Sequence, residues 1–315
     1  MGDQVSEKKS RIRLVRILRF ALIIIGMAAL SGCNTAPKTA SKTLVATTGM
    51  VGDLVQRVAG DHFQVDALMG PGVDPHLYKP TEGDLNRLRN ARAVFYSGLH
   101  LEGKMVEVFK RLREAKPSIP LGESVPVREL IDRGNDVHDP HIWFDPTIWK
   151  LSLPHIAETL SKLDSAHQDD FVKNAKRTEA EIDSLHSWIV ARIAELPPER
   201  KVLVTSHDAF SYFGKRYGIK VIGLQGISTV SEYGLQDVTR MVDQVVDEKI
   251  PALFVESSVP KKSMEAVQRG AQEKGHTVKI GGELFSDAMG AQGTPEGNYI
   301  GMVRHNVNTI VDALK

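Results

Sequence analysis

The chain has 315 residues, with 40 Lys and Arg against 39 Asp and Glu and a net charge of +1. That balance supplies no field for a nucleic-acid partner, and 42% hydrophobic residues is ordinary for a globular protein of two domains or one large one. A single cysteine excludes an internal disulfide and a cysteine-based zinc site.

The first segment reads as a targeting signal. Lys8, Lys9, Arg11, Arg13, Arg16 and Arg19 form a basic region, Phe20 to Leu30 is apolar, and Ser31-Gly32 sets small residues before Cys33. The apolar run falls short of the ~20 residues that a membrane span needs. Leu30-Ser31-Gly32-Cys33 resembles a bacterial lipoprotein signal, which implies removal of residues 1–32 and a lipid on the Cys33 sulfur. Residues 33–42 are small and polar and read as a tether. The mature protein is expected in the bacterial cell envelope, lipid-anchored to a membrane and facing the periplasm or exterior.

From Thr43 onward strands and helices alternate. Leu44 to Thr47 predicts a strand, Met50 to Val58 a helix with Leu54 and Val58 on one face, and Phe63 to Leu68 a second strand. Residues 69–76 form a Gly- and Pro-rich loop, and Thr81 with Asp84 is spaced as a capping box for a short helix to Arg89. Ala93 to Ser97 is a buried strand. Glu102 to Arg113 is an amphipathic helix with Met105, Val106, Phe109 and Leu112 inward. This alternation argues for a mostly parallel sheet covered on both faces.

Ile148 to Leu163 is helical. His167 to Glu195 contains neither Pro nor Gly and repeats Phe171, Ala175, Ile182, Leu185, Ile189 and Ile193 every three or four residues. That is one helix of about 28 residues, roughly 42 Å long. A second alternating block follows: strands at 201–205, 220–223, 252–256 and 277–280, and helices at 208–217, 235–246, 262–274 and 296–314. Leu235, Val238, Val242 and Val245 are in register on one of these helices, and Ile300, Val303, Val307, Ile310 and Leu314 on the last. The chain therefore reads as α/β, with residues 43–163 as an N-terminal lobe, 164–198 as a long rigid linking helix and 199–315 as a C-terminal lobe.

The chemistry concentrates in His138-Asp139-Pro140-His141-Ile142-Trp143-Phe144-Asp145-Pro146. Proline fixes φ and disfavours helix just before it, so this is a stiff loop with its side chains held in set directions. Its core, Asp139-Pro140-His141, recurs as Asp74-Pro75-His76. His76 and His141 are candidate ligands of one metal ion, assisted by His207, at a strand end, and by Asp287. Ordinary Asp-Pro turn chemistry with incidental histidines is the competing reading of the motifs alone. Three imidazoles and one carboxylate suit zinc, and serve manganese or iron as well. Asp139 and His138 are candidates to orient a ligand ring, and Glu256 to point into the same cleft. Ile142-Trp143 is expected to pack the loop against the first lobe. His155, His167 and His186 fall in helical runs, and His62, His100, His276 and His305 have no evident partner. There is no Gly-x-Ser-x-Gly elbow, no phosphate-binding glycine loop and no His-Glu-x-x-His.

Six stretches together resemble the solute-binding lipoproteins of bacterial zinc and manganese ABC transporters. They are Val45 to Met50, Gly72 to His76, Gly98 to Gly103, Asp139 to Trp143, Thr205 to Phe210 and Gly223 to Ser228, in order along the mature chain. The resemblance implies two α/β lobes joined by a single backbone helix, with the metal between them on His76, His141, His207 and Asp287. It implies zinc or manganese, with iron also accepted, as transported cargo, an ABC permease and its ATPase as partners, a monomer, and no enzymatic activity. Manganese-selective members often carry Glu where this chain has His207, while zinc-selective members often carry a long His-rich loop where residues 123–138 here are short. A zinc hydrolase with a three-His site and a surface adhesin are the alternative functions.

Overall fold

The structure, a computed structural model, describes residues 42–315. The signal segment, Cys33 and the tether as far as residue 41 lie outside the described residues, and among those described no helix is long and apolar enough to cross a membrane.

The first half is a parallel four-stranded sheet. Strands β1 (Thr43–Ala46), β2 (Gln64–Ala67), β3 (Val94–Tyr96) and β4 (Ser118–Pro120) lie in the order β2-β1-β3-β4. Helices α1 (Gly49–Ala59), α2 (Glu82–Asn90) and α3 (Val106–Ala115) make the crossovers. Leu44 to Ala46 and Val94 to Tyr96 are buried, as central parallel strands must be when helices cover both faces. Thr48 caps α1 by accepting the Val51 N–H, and at α2 the Thr81–Asp84 capping box forms with both of its bonds. Strand β4 gave no sequence signal, being three residues long with a proline; it sits on the sheet edge, where proline is tolerated.

Two of the expected helices differ in detail. Met105, Phe109 and Leu112 are buried as expected, but Val106 is 41% exposed. A 3₁₀ turn, Gly103–Met105, precedes α3, so Val106 is the first residue of that helix and lies at the edge of its packed face. The run from Ile148 to Leu163 is not continuous: α4 (Pro146–Trp149), a 3₁₀ turn at Lys150–Ser152 and α5 (Leu153–Leu163) replace it. Pro154 has no N–H to continue the helical ladder to Lys150, which accounts for the break.

Helix α6 (Gln168–Ile193) runs 26 residues and buries the six apolar positions read from its periodicity. It packs on α1, α4 and α5 of the first half and on α10 (Tyr299–Leu314) of the second. One continuous apolar core therefore joins Met50 and Leu54, Trp149, Ile182 and Ile189, Phe210, and Val307 and Leu314. Each such buried side chain contributes roughly 1.5–3 kcal/mol. A core shared across the two halves leaves little room for wide hinge opening.

The second half contains two parallel pairs packed together, β5 (Val202–His207) with β6 (Lys220–Gln225) and β7 (Ala252–Glu256) with β8 (Lys279–Leu284). Helices α7 (Ser211–Tyr217), α8 (Leu235–Asp247), α9 (Lys262–Glu273) and α10 flank them. Strand β5 extends to His207 rather than stopping at Thr205, and α7 begins at Ser211 rather than Asp208. The Asp208 N–H goes to the carbonyls of Gln225 and Gly226, which holds that residue beside β6 instead of in a helix. Gly218 ends α7 with φ +69°, a conformation natural to glycine. Leu235 is 84% exposed: it is the first residue of α8 and projects beyond the packed face formed by Met241, Val242 and Val245.

Candidate metal site

Parallel α/β sheets present ligands beyond the carboxyl ends of their strands. His76 lies in the connection after β2, His207 is the last residue of β5 and Asp287 follows β8. His141 comes from the stiff loop before α4. All four are buried, at 3% exposure or less, and their donor atoms lie within 4.8 Å of one another.

The distances fit one small cation. Nε2 of His76 is 3.4 Å from Nε2 of His141 and 3.5 Å from Oδ2 of Asp287. Nε2 of His141 is 3.5 Å from Oδ1 of Asp287, and Nε2 of His207 is 3.2 Å from its Oδ2. Four donors ~2.05 Å from a tetrahedral zinc stand about 3.3 Å apart. Neither oxygen of Asp287 accepts a hydrogen bond, although the residue is 1% exposed. A buried carboxylate costs free energy unless it is paired, and the three ring nitrogens facing it suit a shared ion. Both oxygens face ring nitrogens, so the carboxylate can also chelate and widen the site to five donors.

The two Asp-Pro-His triplets share one device. Oδ1 of Asp74 accepts the His76 N–H at 2.8 Å, and Oδ1 of Asp139 accepts the His141 N–H at 3.0 Å. Beyond that they diverge. Oδ1 of Asp139 also meets Nδ1 of its own histidine at 2.8 Å, which makes Nδ1 the proton-bearing nitrogen and leaves the Nε2 lone pair facing the centre. Oδ2 of Asp74 instead accepts the Thr229 hydroxyl at 2.6 Å, tying the His76 loop to the second half.

Glu256, the last residue of β7, accepts the His207 N–H on Oε1 at 2.9 Å. Its Oε2 lies 2.5 Å from Nδ1 of His207, away from the direction of a ring N–H. At that separation, with both groups buried, charge attraction operates whatever the angle. His138 is not part of the cluster. It lines a separate cavity beside α3 with Tyr96, His100 and Phe109, and no hydrogen bond ties it to any of the four residues or to Asp139.

These surroundings set the protonation of the site. Burial drives the His76 imidazole down to about 4, so it is neutral at ordinary pH. Burial opposes charge on His207 too, but the Glu256 and Asp287 carboxylates outweigh it and raise that ring well above its usual value. Burial would likewise raise Asp287, yet His207 first, then His141 and His76, hold it far below the carboxylate range. Asp139 is depressed in the same way: burial is outweighed by His141 and Arg133.

Several supports gave no sequence signal because they depend on tertiary contact. Trp143 does not pack the loop only against the first half: its Nε1–H donates to the Ser286 carbonyl at 3.1 Å, next to Asp287, and its own carbonyl accepts the Tyr299 hydroxyl. The Tyr212 hydroxyl of α7 donates to the Asp139 carbonyl. Five of the remaining histidines find partners outside the site. His62 meets Asp170 and stacks on His167, His186 meets the Tyr217 hydroxyl, and His276 and His305 meet carbonyls of Ile250 and Glu283.

Comparison with known proteins agrees with this geometry. The manganese-binding lipoprotein MntA of Bacillus subtilis is 49% identical over 300 residues, covering 94% of this chain and 98% of that protein. The zinc-binding protein TroA of Treponema pallidum is 43% identical over 292 residues, covering 93% of this chain and 95% of that one. The solved structure of the periplasmic zinc-binding protein TroA from Treponema pallidum matches with a TM-score of 0.85 at 44% identity, covering 87% of this chain and 99% of its own. The sequence model of the zinc-uptake complex component A, periplasmic (ZnuA), family matches residues 44–313, from β1 to α10 through every segment that supplies the site, and the chain belongs to that family.

Proposed function

We propose that this protein is the extracytoplasmic solute-binding component of an ABC importer. It captures one divalent transition metal, zinc or manganese, between its two halves and hands it to a membrane permease driven by a partner ATPase. His76, His141, His207 and Asp287 are the proposed ligands, with Asp139 and Glu256 fixing two of the rings. Residues 1–32 are the proposed signal, Cys33 the lipidated residue and 33–42 the tether, so that the protein works at a membrane surface in the cell envelope. Residues 43–163 and 199–315 are the proposed lobes and 164–198 the link.

The observation that carries the reading is the buried Asp287 carboxylate, which has no hydrogen-bond donor and three Nε2 atoms within 3.5 Å. Relatives named for manganese and for zinc support the class of cargo. The Irving–Williams order makes zinc the tighter ligand of a three-imidazole site, and Fe(II) suits the same donors. A hydrolytic zinc keeps an open position and a placed general base, whereas a fourth protein donor here faces the same centre.

The test is metal import in cells whose only copy carries both His76→Ala and His141→Ala. Loss of zinc and manganese accumulation, with normal folding and amount of the protein, is the expected result. Undiminished import, or host-surface binding as the one phenotype tied to the protein, would overturn the transport reading.

A further inference from the structure

All four proposed ligands are buried, so an ion leaves only when part of the wall moves. One exposed part of that wall is the hairpin from Ile131 to Asp139. Residues 132–137 are exposed, and Gly134, Asn135 and Asp136 at its tip have φ of 83°, 52° and 59°. Its base is closed by the Asp139 N–H to the Ile131 carbonyl and by Arg133 N–H to the Val137 carbonyl. Non-glycine residues in the left-handed region are costly, and few apolar contacts offset that here.

One side chain of this hairpin reaches across to the second half. Nη2 of Arg133 lies 2.6 Å from Oδ2 of Asp139, 2.9 Å from Oδ2 of Asp208 and 2.7 Å from the Ser211 hydroxyl. Asp139 holds both the backbone and the ring of His141. Asp208 directly follows His207 and is itself fixed, its N–H on the carbonyls of Gln225 and Gly226 and its Oδ1 on the Ser211 hydroxyl. A single guanidinium thus ties the carboxylate that orients one proposed ligand to the neighbour of another, on opposite sides of the cleft. Its side chain is 29% exposed, while Asp139 beneath it is fully buried.

We propose that Arg133 is a positioning residue that latches the two halves and sets how long the ion stays. The inference rests on the metal-carrier reading above. While the guanidinium spans Asp139 and Asp208, His141 cannot swing away from His207; when it lets go, the hairpin and His141 move together and the site opens. The ties from Tyr212 to Asp139 and from Trp143 to Ser286 are buried, and those from Thr229 to Asp74 and from Arg216 to Asp145 do not act on a ligand ring, so Arg133 is the partly exposed tie on a carboxylate that orients one. A purely electrostatic role has the opposite sign. Arg133 is a positive charge close to a cation site, so its removal by charge alone would tighten metal binding.

The test is the rate of zinc release from the loaded full-length protein into excess chelator, for the unaltered protein, Arg133→Lys, Arg133→Gln, Asp208→Asn and the Arg133→Gln/Asp208→Asn pair. All three contacts fall on one nitrogen, so a lysine ammonium can keep both them and the charge, whereas glutamine loses the charge and the reach; Asp208→Asn weakens the tie without touching Asp139. A latch predicts that Arg133→Gln and Asp208→Asn each speed release at least ~10-fold, with little change in the association rate and no further gain in the pair, while Arg133→Lys stays nearer the unaltered rate. Release from Arg133→Gln at the unaltered rate or slower would overturn the latch. If Asp208→Asn does not fold, Ser211→Ala removes a second-half partner in its place and carries the same expectation. Failure of the unaltered protein to hold zinc at all would instead sink the carrier reading on which the latch depends.

Discussion

Glu256 holds His207 at both ends of the residue: Oε1 accepts its backbone N–H at 2.9 Å and Oε2 sits 2.5 Å from Nδ1 of its ring. A carboxylate behind a ligand imidazole makes the ring a stronger base and fixes which nitrogen faces the metal. Glu256→Gln keeps the shape and removes the charge. Zinc affinity at mildly alkaline pH is expected to fall by ~10–100-fold. The acid-induced loss of binding is expected to begin at a lower pH, because His207 then gives up its proton more readily. A competition titration against a chelating indicator across mildly acid to alkaline pH measures both effects. Unchanged affinity would remove Glu256 from the site.

Metal competes with a proton for His207 near neutral pH, since Glu256 and Asp287 raise that ring well above its ordinary value. His76, pushed down to about 4, has no proton to lose there. Binding should therefore release a proton through His207, seen as a buffer-dependent heat in calorimetry, and affinity should drop ~10-fold per pH unit below the raised value. Stability has the matching signs. The raised His207 stabilises the metal-free fold fully below its unfolded value, and that gain is lost as pH rises through its folded value. The depressed His76 makes the metal-free fold lose stability as pH falls from its ordinary value of 6.5 toward 4. The gap in melting temperature between loaded and metal-free protein should widen with rising pH.

Much of this was legible in the chain itself, and the gaps have physical causes. Asp74-Pro75-His76 and Asp139-Pro140-His141 stood out because proline stiffens the backbone around an Asp that caps the following N–H, a local device seen again in the fold. The face of α6 was readable because one periodicity persists over 26 residues. Val106 and Leu235 were misplaced because each opens its helix, where apolar spacing says nothing about how far the packed face extends. Asp287 has no local motif; its surroundings arise from residues up to 211 positions away, such as His76. Arg133 and Trp143 act across the cleft, which no spacing along the chain reveals.

Trp143 ties the loop of His141 to that of Asp287. Trp143→Phe keeps the ring in the core and removes the N–H bond to Ser286. A loss of about 1–4 kcal/mol in stability is expected, from the unpaired Ser286 carbonyl together with the cavity that the smaller ring leaves at a fully buried site. Weaker zinc binding should accompany it, because the Asp287 loop loses an anchor. Stability from denaturant unfolding and affinity from titration check the two parts separately.

Helix α6 belongs to both halves through the shared core. Ile189, fully buried on its inner face, should cost ~2–5 kcal/mol when replaced by alanine. The two halves should still unfold together. Tryptophan fluorescence, reporting Trp143, Trp149 and Trp188, and far-UV circular dichroism are expected to trace one coincident transition. Two separated transitions would show that the halves are independent units.

The most direct measurement is a competitive titration of the metal-free protein with zinc and with manganese, for the unaltered chain and for Asp287→Ala, with metal content determined after purification. One ion per chain, zinc held more tightly than manganese, and an affinity loss above ~100-fold in Asp287→Ala are the predicted results, the last exceeding what an outer partner contributes. Stoichiometry near zero for both ions, or unchanged affinity in Asp287→Ala, would contradict the closed four-ligand site.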